Sequence, residues 1–155
     1  MTLNISGMEQ IELTHLILDY NGTIAINGIL IEGVTERLKK LSSQLFIHIL
    51  TADTYGSVHE QCEADFLTIQ VIGKEKQDEQ KLSFIESLGM RHTVAIGNGK
   101  NDALMLKSAI LGFAILQDEG INIRTLNSAD VIFASIIDAL DALLIPNRLI
   151  ATLRN

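Results

Sequence analysis

The chain has 155 residues, of which 47% are apolar and 20% charged, and its formal net charge is −7. That length and apolar content suffice for one domain with a real core, residues 1–155, and exclude a disordered chain. The negative charge excludes a general nucleic-acid binder, which needs a basic surface to neutralise phosphates. Cys62 is the only cysteine, so no internal disulfide can form and a reduced, cytoplasmic setting is expected. The first residues, MTLNISGMEQIEL, have no basic n-region and no long apolar h-region, so no signal peptide is expected. The longest apolar runs, such as AILGFAIL interrupted by Gly112, are too short to span a bilayer, so no membrane partner is expected.

In chain order, Leu3 to Leu13 alternates weakly around Gly7 and suggests a β-hairpin at a sheet edge. Leu16 to Leu18 reads as a buried strand. Ile24 to Ile31 reads as a short flap with a hairpin turn at Asn27–Gly28. Val34, Leu38 and Leu41 recur at helical spacing after Gly33. Leu45 to Leu50 is the next strand, and Tyr55, Val58 and Cys62 mark a helix face. Leu67 to Ile72 is a third strand. Leu82, Ile85 and Leu88 mark a helix stopped by Gly89. Thr93 to Ile96 is a fourth strand, Ala103 to Lys107 a short helix, and Ile110 to Leu116 and Val131 to Phe133 further strands. Ile136, Leu140 and Leu143 form the face of a long helix, and Pro146 starts a final helical turn. Strands alternating with helices imply a doubly wound parallel sheet in an α/β protein, covered on both faces.

Ligands bind such sheets at the carboxyl ends of the strands. The first core strand ends in Asp19, followed by Tyr20–Asn21–Gly22–Thr23. The second ends in Thr51–Ala52–Asp53, and the fourth in Gly97–Asn98–Gly99–Lys100–Asn101–Asp102. Each piece alone has an ordinary explanation. Asp19 can close a turn, Asn21–Gly22 is a common turn dipeptide, Thr51 can simply end a strand, and Asp53 can N-cap the following helix. The convergence of polar loops from separate strands is what points to a site.

DYNGT, then TAD, then a helix-borne lysine, then GNGKND: this order resembles the haloacid-dehalogenase (HAD) superfamily. Within it the pattern is most similar to the phosphorylation domain of P-type ATPases, whose motifs read DKTGT, TGD and GDGxND, and to small stand-alone soluble P-type ATPase-like proteins. The resemblance runs through nearly the whole chain and implies a three-layer α/β/α, Rossmann-like fold. It makes Asp19 the nucleophile of an aspartyl-phosphate mechanism, with Gly22 in the tight turn that approaches the phosphate. By the same resemblance Thr51, with Ala52 after it, holds a phosphoryl oxygen, and Asp53 matches the Asp of TGD. A lysine at the start of a later helix neutralises the phosphoryl group. Lys81 is the choice, and Lys74 and Lys76 compete for the role. Asp19, the Asn21 carbonyl, Asn98 and Asp102 would hold Mg²⁺ through oxygen ligands.

Two positions depart from the family. Asn21 stands where HAD phosphatases carry a second Asp that works as general acid and base, so hydrolysis should be slow. Asn98 stands where the P-type family has the first Asp of GDG, so magnesium affinity should be modest. No cap or nucleotide-binding domain fits between Asp19 and Thr51, so the site should be open. A second copy of the chain, or another partner subunit, is expected to close it, with the apolar C-terminal helix pair as a candidate interface. The resulting expectation is a Mg²⁺-dependent phosphohydrolase of low activity, acting on a phosphorylated substrate whose identity the residues do not give. The alternatives are a binding or regulatory module on the same fold, and a structural subunit with relic loops.

Overall fold

The apolar runs HLILD, FIHILT and TVAIG carry almost no polar alternation, which is the pattern of strands buried on both faces. A computed structural model describes residues 1–7, 9–52, 57–62 and 64–154. In chain order its elements begin with two short strands, β1 (Thr2–Leu3) and β2 (Ile11–Glu12). β3 (His15–Asp19) follows, then the flap strands β4 (Ala25–Ile26) and β5 (Ile29–Leu30), α1 (Val34–Leu41), β6 (Phe46–Thr51) and α2 (Ser57–Cys62). β7 (Leu67–Val71), α3 (Gln77–Leu88), β8 (Thr93–Gly97), α4 (Ala103–Ser108) and β9 (Leu111–Ile115) come next. α5 (Ile123–Leu126), β10 (Val131–Phe133), α6 (Ile136–Leu144) and α7 (Pro146–Leu153) complete the chain.

Six strands form one parallel sheet in the order β10-β9-β8-β3-β6-β7. β3 is interior, between β8 and β6, so the loops after these three strands are neighbours at the carboxyl edge. Successive side chains point to opposite faces. Leu16, Leu18, Ile47, Ile49, Val94 and Ile96 meet α1 and α6 on one face. Ile17, Leu50 and Ala95 meet Ile85 of α3 and Met105 and Leu106 of α4 on the other. The result is a doubly wound, three-layer α/β/α fold with no cap domain among the described residues. α1 is tied to α6 by a two-pronged ion pair, Arg37 Nε to Asp141 Oδ1 at 2.7 Å and the second Arg37 nitrogen to Asp141 Oδ2 at 3.1 Å. None of the described helices is long and apolar enough to cross a membrane.

The flap is a hairpin as its sequence implies. Asn27 (φ 51°) and Gly28 (φ 75°) both take left-handed backbone, the requirement of the tight turn that matches strand twist. Its tip and second strand are held at both sides. Asn27 N–H donates to Glu119 Oε1 at 2.8 Å, and Leu30 N–H donates to Gln61 Oε1 of α2 at 2.8 Å.

One expectation changes. The N-terminal hairpin forms, but β1 and β2 make a two-stranded sheet of their own and do not extend the six-stranded one. With two residues per strand it has little ladder to offer. It is anchored by its buried side chains Leu3, Ile5, Ile11 and Leu13 and by the Thr14 N–H bond to His92 O at 2.8 Å. The final helical segment begins at Pro146 as expected and is an eight-residue helix, α7, fixed by buried Leu149. The single turn α5 has no apolar periodicity to announce it. It is created by the Asn122 side chain, which accepts the Arg124 N–H at 3.0 Å.

Candidate functional site

β3 ends in Asp19, which is 8% exposed. The chain then folds tightly, with Tyr20 O accepting the N–H groups of Ile24 and Ala25, both at 3.0 Å. Gly22 takes φ +77°, and a Cβ there would lie 2.4 Å from Asn98 Nδ2. Only glycine lets this turn press against the loop after β8. The Thr23 hydroxyl sits at the junction, 3.3 Å from Asp19 Oδ2 and 3.2 Å from Asn98 Oδ1. One hydroxyl proton thus faces two acceptor oxygens.

Lys81 enters from α3 and is 1% exposed. Its Nζ lies 2.5 Å from Asp19 Oδ1 and 2.6 Å from Asp102 Oδ1. Burial alone would depress the ammonium's pKa. The two carboxylates outweigh it and hold the ammonium above its usual range. Asp102 is fully buried, and its Oδ2 accepts the backbone N–H groups of Asn98 (3.0 Å) and Gly99 (2.8 Å). Burial, and then the charge of Asp19, push the Asp102 carboxyl up to about 6 against the pull of Lys81. Gly97 is required beside it, because a Cβ there would stand 2.5 Å from Asp102 Cγ.

An outer ring holds these groups in place. Gln117, just past β9, donates from Nε2 to Gly22 O (2.8 Å) and Thr23 O (2.7 Å), while its Oε1 accepts the Ile136 N–H at 3.1 Å. The Thr125 hydroxyl donates to Gly99 O at 2.5 Å, and Asn98 Nδ2 donates to Gly120 O at 3.0 Å. Sequence reasoning gave no role to Gln117, Thr125 or the Thr23 hydroxyl. Gln117 carried a usable signal, as a polar residue directly after an apolar strand at the carboxyl edge.

The structure brings Asp19, Gly22, Lys81, Asn98 and Asp102 into one cluster. Asn21 is exposed at the top of the turn, bridged through its backbone to Ala25. Thr51, 2% exposed, ends β6 one residue beyond the Asp19–Leu50 pair, and Ala52 follows it, half-buried. Asp53 and Tyr55 lie outside the described residues. Lys74 and Lys76 are exposed, unlike Lys81.

Among the described residues no three His, Cys, Asp or Glu side chains cluster as a metal cage. A hard cation that keeps several waters needs fewer protein ligands. Asp19 Oδ2 and Asn98 Oδ1 share one hydroxyl proton between them, and Asp102 Oδ1 has a lone pair beyond the one that faces Lys81. This oxygen-rich, proton-poor junction suits a magnesium-sized ion.

Such a sheet, with an acidic residue at the end of an interior strand and a buried lysine on it, has the HAD-like α/β fold. The structure is similar to 3-deoxy-D-manno-octulosonate 8-phosphate phosphatase from Moraxella catarrhalis, solved with magnesium, phosphate and KDO. The TM-score is 0.66 at 16% identity, over 92% of this chain and 94% of that one. It is also similar to the cobalt-bound deoxy-D-mannose-octulosonate 8-phosphate phosphatase from Haemophilus influenzae, with a TM-score of 0.67 at 11% identity, over 88% of this chain and 90% of that one. A HAD-superfamily phosphatase from Bacteroides thetaiotaomicron gives a TM-score of 0.63 at 12% identity, over 94% of this chain and 99% of that one. Identities this low carry the fold and not the reaction.

The chain belongs to the same family as the uncharacterized protein MJ0073 of Methanocaldococcus jannaschii. The two are 46% identical over 79 residues, 48% of this chain and 85% of that one. The uncharacterized protein MJ0072 of the same organism is 54% identical over 39 residues, 25% of this chain and 89% of that one. No protein-family model matches the chain.

Proposed function

We propose that the protein is a phosphohydrolase that works through an aspartyl-phosphate on Asp19. The observation that carries this reading is Lys81, buried to 1% exposure and bonded at once to Asp19 and Asp102. A buried ammonium is expensive to maintain, and it is placed where a transferring phosphoryl group would need fixed positive charge. The similarity in fold to HAD phosphatases supports the same reading.

Lys81 and Thr23 orient the Asp19 carboxylate, one oxygen of which attacks phosphorus. As that oxygen–phosphorus bond forms, the bond from phosphorus to the leaving oxygen breaks. Thr51 and the Ala52 backbone receive phosphoryl oxygens beside Gly22. Water then attacks the phosphorus of the intermediate and releases inorganic phosphate and the free carboxylate. Asn21, exposed over the turn, offers no transferable proton, so solvent must protonate the leaving oxygen and both steps are slow. Asp19, Asn98, the Asn21 carbonyl and the spare lone pair of Asp102 would hold magnesium, which when bound would polarise the phosphoryl oxygens and offset their charge. The motif set favours the soluble P-type ATPase-like branch, in which the intermediate is long-lived. An open, capless site suits closure by a second copy or a partner subunit, in a cytoplasmic setting.

The neutral side chains Asn21 and Asn98 favour one second reading, a phosphate- or metal-binding module without useful turnover. Hydrolysis of 4-nitrophenyl phosphate with magnesium separates the two. Wild type should turn over slowly and Asp19→Asn not at all, whereas inactivity of both with retained phosphate binding selects the module.

A further inference from the structure

β7 is the outermost strand at one end of the sheet, and among the described residues no strand pairs with its outer side. One bond tells which of its backbone groups face outward. Ile72 N–H donates inward to Thr51 O at 2.8 Å. Strand groups alternate in direction, so Thr68 and Gln70 also turn toward β6, while Leu67, Ile69 and Val71 turn their N–H and C=O groups away from it. Two of these outward groups are satisfied within the chain. Leu67 N–H donates to Ala64 O at 3.0 Å, and Val71 O accepts Gln70 Nε2 at 3.2 Å. Ile69 N–H, Ile69 O, Val71 N–H and Leu67 O have no partner among the described residues.

The edge is also unprotected. Exposed edge strands are usually blunted by brevity, a charge, a proline or a bulge. The opposite edge strand, β10, has only three residues. β7 has five, LTIQV, with no charge and no proline, and Val71 is 41% exposed. A cleft of about 610 Å³, whose lining includes Gln70, Val71, Ser83 and Phe84, separates β7 from α3, so the helix stands back from the edge. On a chain of net charge −7, this uncharged stretch is where two copies repel each other least.

We propose that β7 is a self-association edge whose partner is β7 of a second copy of this chain, joined antiparallel about a two-fold axis at Ile69. That axis sets Ile69 opposite its own copy and Leu67 opposite Val71. The Ile69 pair exchanges both N–H and C=O groups, and each Val71 N–H reaches the Leu67 O across from it. The two groups left over in that pair, Leu67 N–H and Val71 O, are the ones already satisfied at home. The side chains agree with the backbone. Leu67, Ile69 and Val71 line one face of the strand and Thr68 and Gln70 the other, so the apolar–polar pattern reads the same in both directions. A strand pair this short falls below the roughly 800 Å² per partner of a stable dimer, so association is weak and depends on concentration. The contact does not involve the Asp19 centre and stands apart from the activity proposed above.

Sedimentation equilibrium of the full chain from about 1 to about 500 µM should show a reversible monomer–dimer equilibrium, with a dissociation constant on the order of 10–100 µM. The axis sets Thr68 opposite Gln70, and both side chains are exposed, so charges placed there leave the fold intact. Thr68→Lys/Gln70→Lys puts like charges face to face and should weaken the dimer about tenfold. Thr68→Glu/Gln70→Lys puts opposite charges there and should restore it to within about threefold of wild type. Ile69→Pro removes an outward N–H that no bond to β6 uses, and should give a folded monomer. Melting followed by circular dichroism checks each fold, and if Ile69→Pro does not fold, the charge variants decide alone. Equal weakening by both charge variants, or a dimer that neither changes, overturns the proposal. Wild type that stays monomeric at about 500 µM also overturns it, and leaves the edge to an extended segment of another protein.

Discussion

Lys81 Nζ reaches 62 residues back along the chain to lie 2.5 Å from Asp19 Oδ1, and Lys81 is all but closed off from water while Asp19 keeps 8% exposure. α3 supplies the ammonium, the central strand supplies the carboxylate, and Asp102 binds the ammonium from its other side. Removing the charge leaves two carboxylates facing each other in a buried place. Lys81→Met should therefore cost about 3–5 kcal/mol of stability, the range seen when a buried pair loses one partner. Lys81→Met/Asp102→Asn should recover part of that loss. Urea unfolding of the four combinations checks it. Strict additivity would mean that Lys81 and Asp102 are not coupled.

Asn21 is exposed, so Asn21→Asp should fold normally. It supplies the missing acid and base, and such groups typically contribute about 10²–10⁴-fold. The added negative charge opposes the incoming phosphate. The net gain in turnover of aryl phosphate should be about tenfold or more. A rate equal to wild type would mean that proton transfer does not limit the reaction.

Asn98→Asp would add an anion beside Asp19 Oδ2. It would also lose the amide bond to Gly120 O, because a carboxylate cannot donate there. Magnesium binding should tighten by about tenfold, with a small loss of thermal stability in the absence of metal. Titration calorimetry reads the first effect, and thermal melting with chelator the second. Unchanged magnesium affinity would remove Asn98 from the ligand set.

His48 predicts a pH effect away from the site. Its Nε2 lies 3.1 Å from His15 Nδ1, and its own Nδ1 has no hydrogen-bond partner among the described residues. Burial first, and then the charge of His15, lower its pKa from 6.5 to about 4. Between those values the unfolded chain binds the proton that the folded chain refuses. Stability is therefore fully present above pH 6.5 and falls as pH drops through that window. After allowance for partial solvent screening the effect is on the order of 2 kcal/mol. His48→Phe should remove this share of the slope. The difference between wild type and variant in unfolding free energy at pH 7.5 and pH 4.5 measures it, and a difference independent of pH would contradict the assignment.

Legibility in the sequence followed local patterning. The parallel strands were plain because continuous apolar runs such as LIL and IHIL have few other uses. The tight flap was plain because Asn27–Gly28 suits a turn needing two positive φ angles. What stayed hidden depended on tertiary contact. Nothing local separates buried Lys81 from exposed Lys74 and Lys76, since its burial follows from the side of α3 that meets Asp19. Gln117, 95 residues from Gly22, holds the Asp19 turn through backbone carbonyls, which no side-chain motif records. The N-terminal hairpin was assigned to the wrong place because its alternating pattern shows a buried face and not which strand, if any, it joins.

The most direct test is covalent trapping on Asp19. The protein is incubated with an aryl phosphate and magnesium, quenched in acid and weighed intact. With Asn21 unable to assist hydrolysis, the intermediate should accumulate. A fraction of wild type should gain the mass of one phosphoryl group, lose it to hydroxylamine, and show it on the peptide that contains Asp19. Asp19→Asn should gain nothing. An adduct that persists in Asp19→Asn, or wild type that turns over substrate with no acyl-phosphate formed at any quench time, would contradict the account.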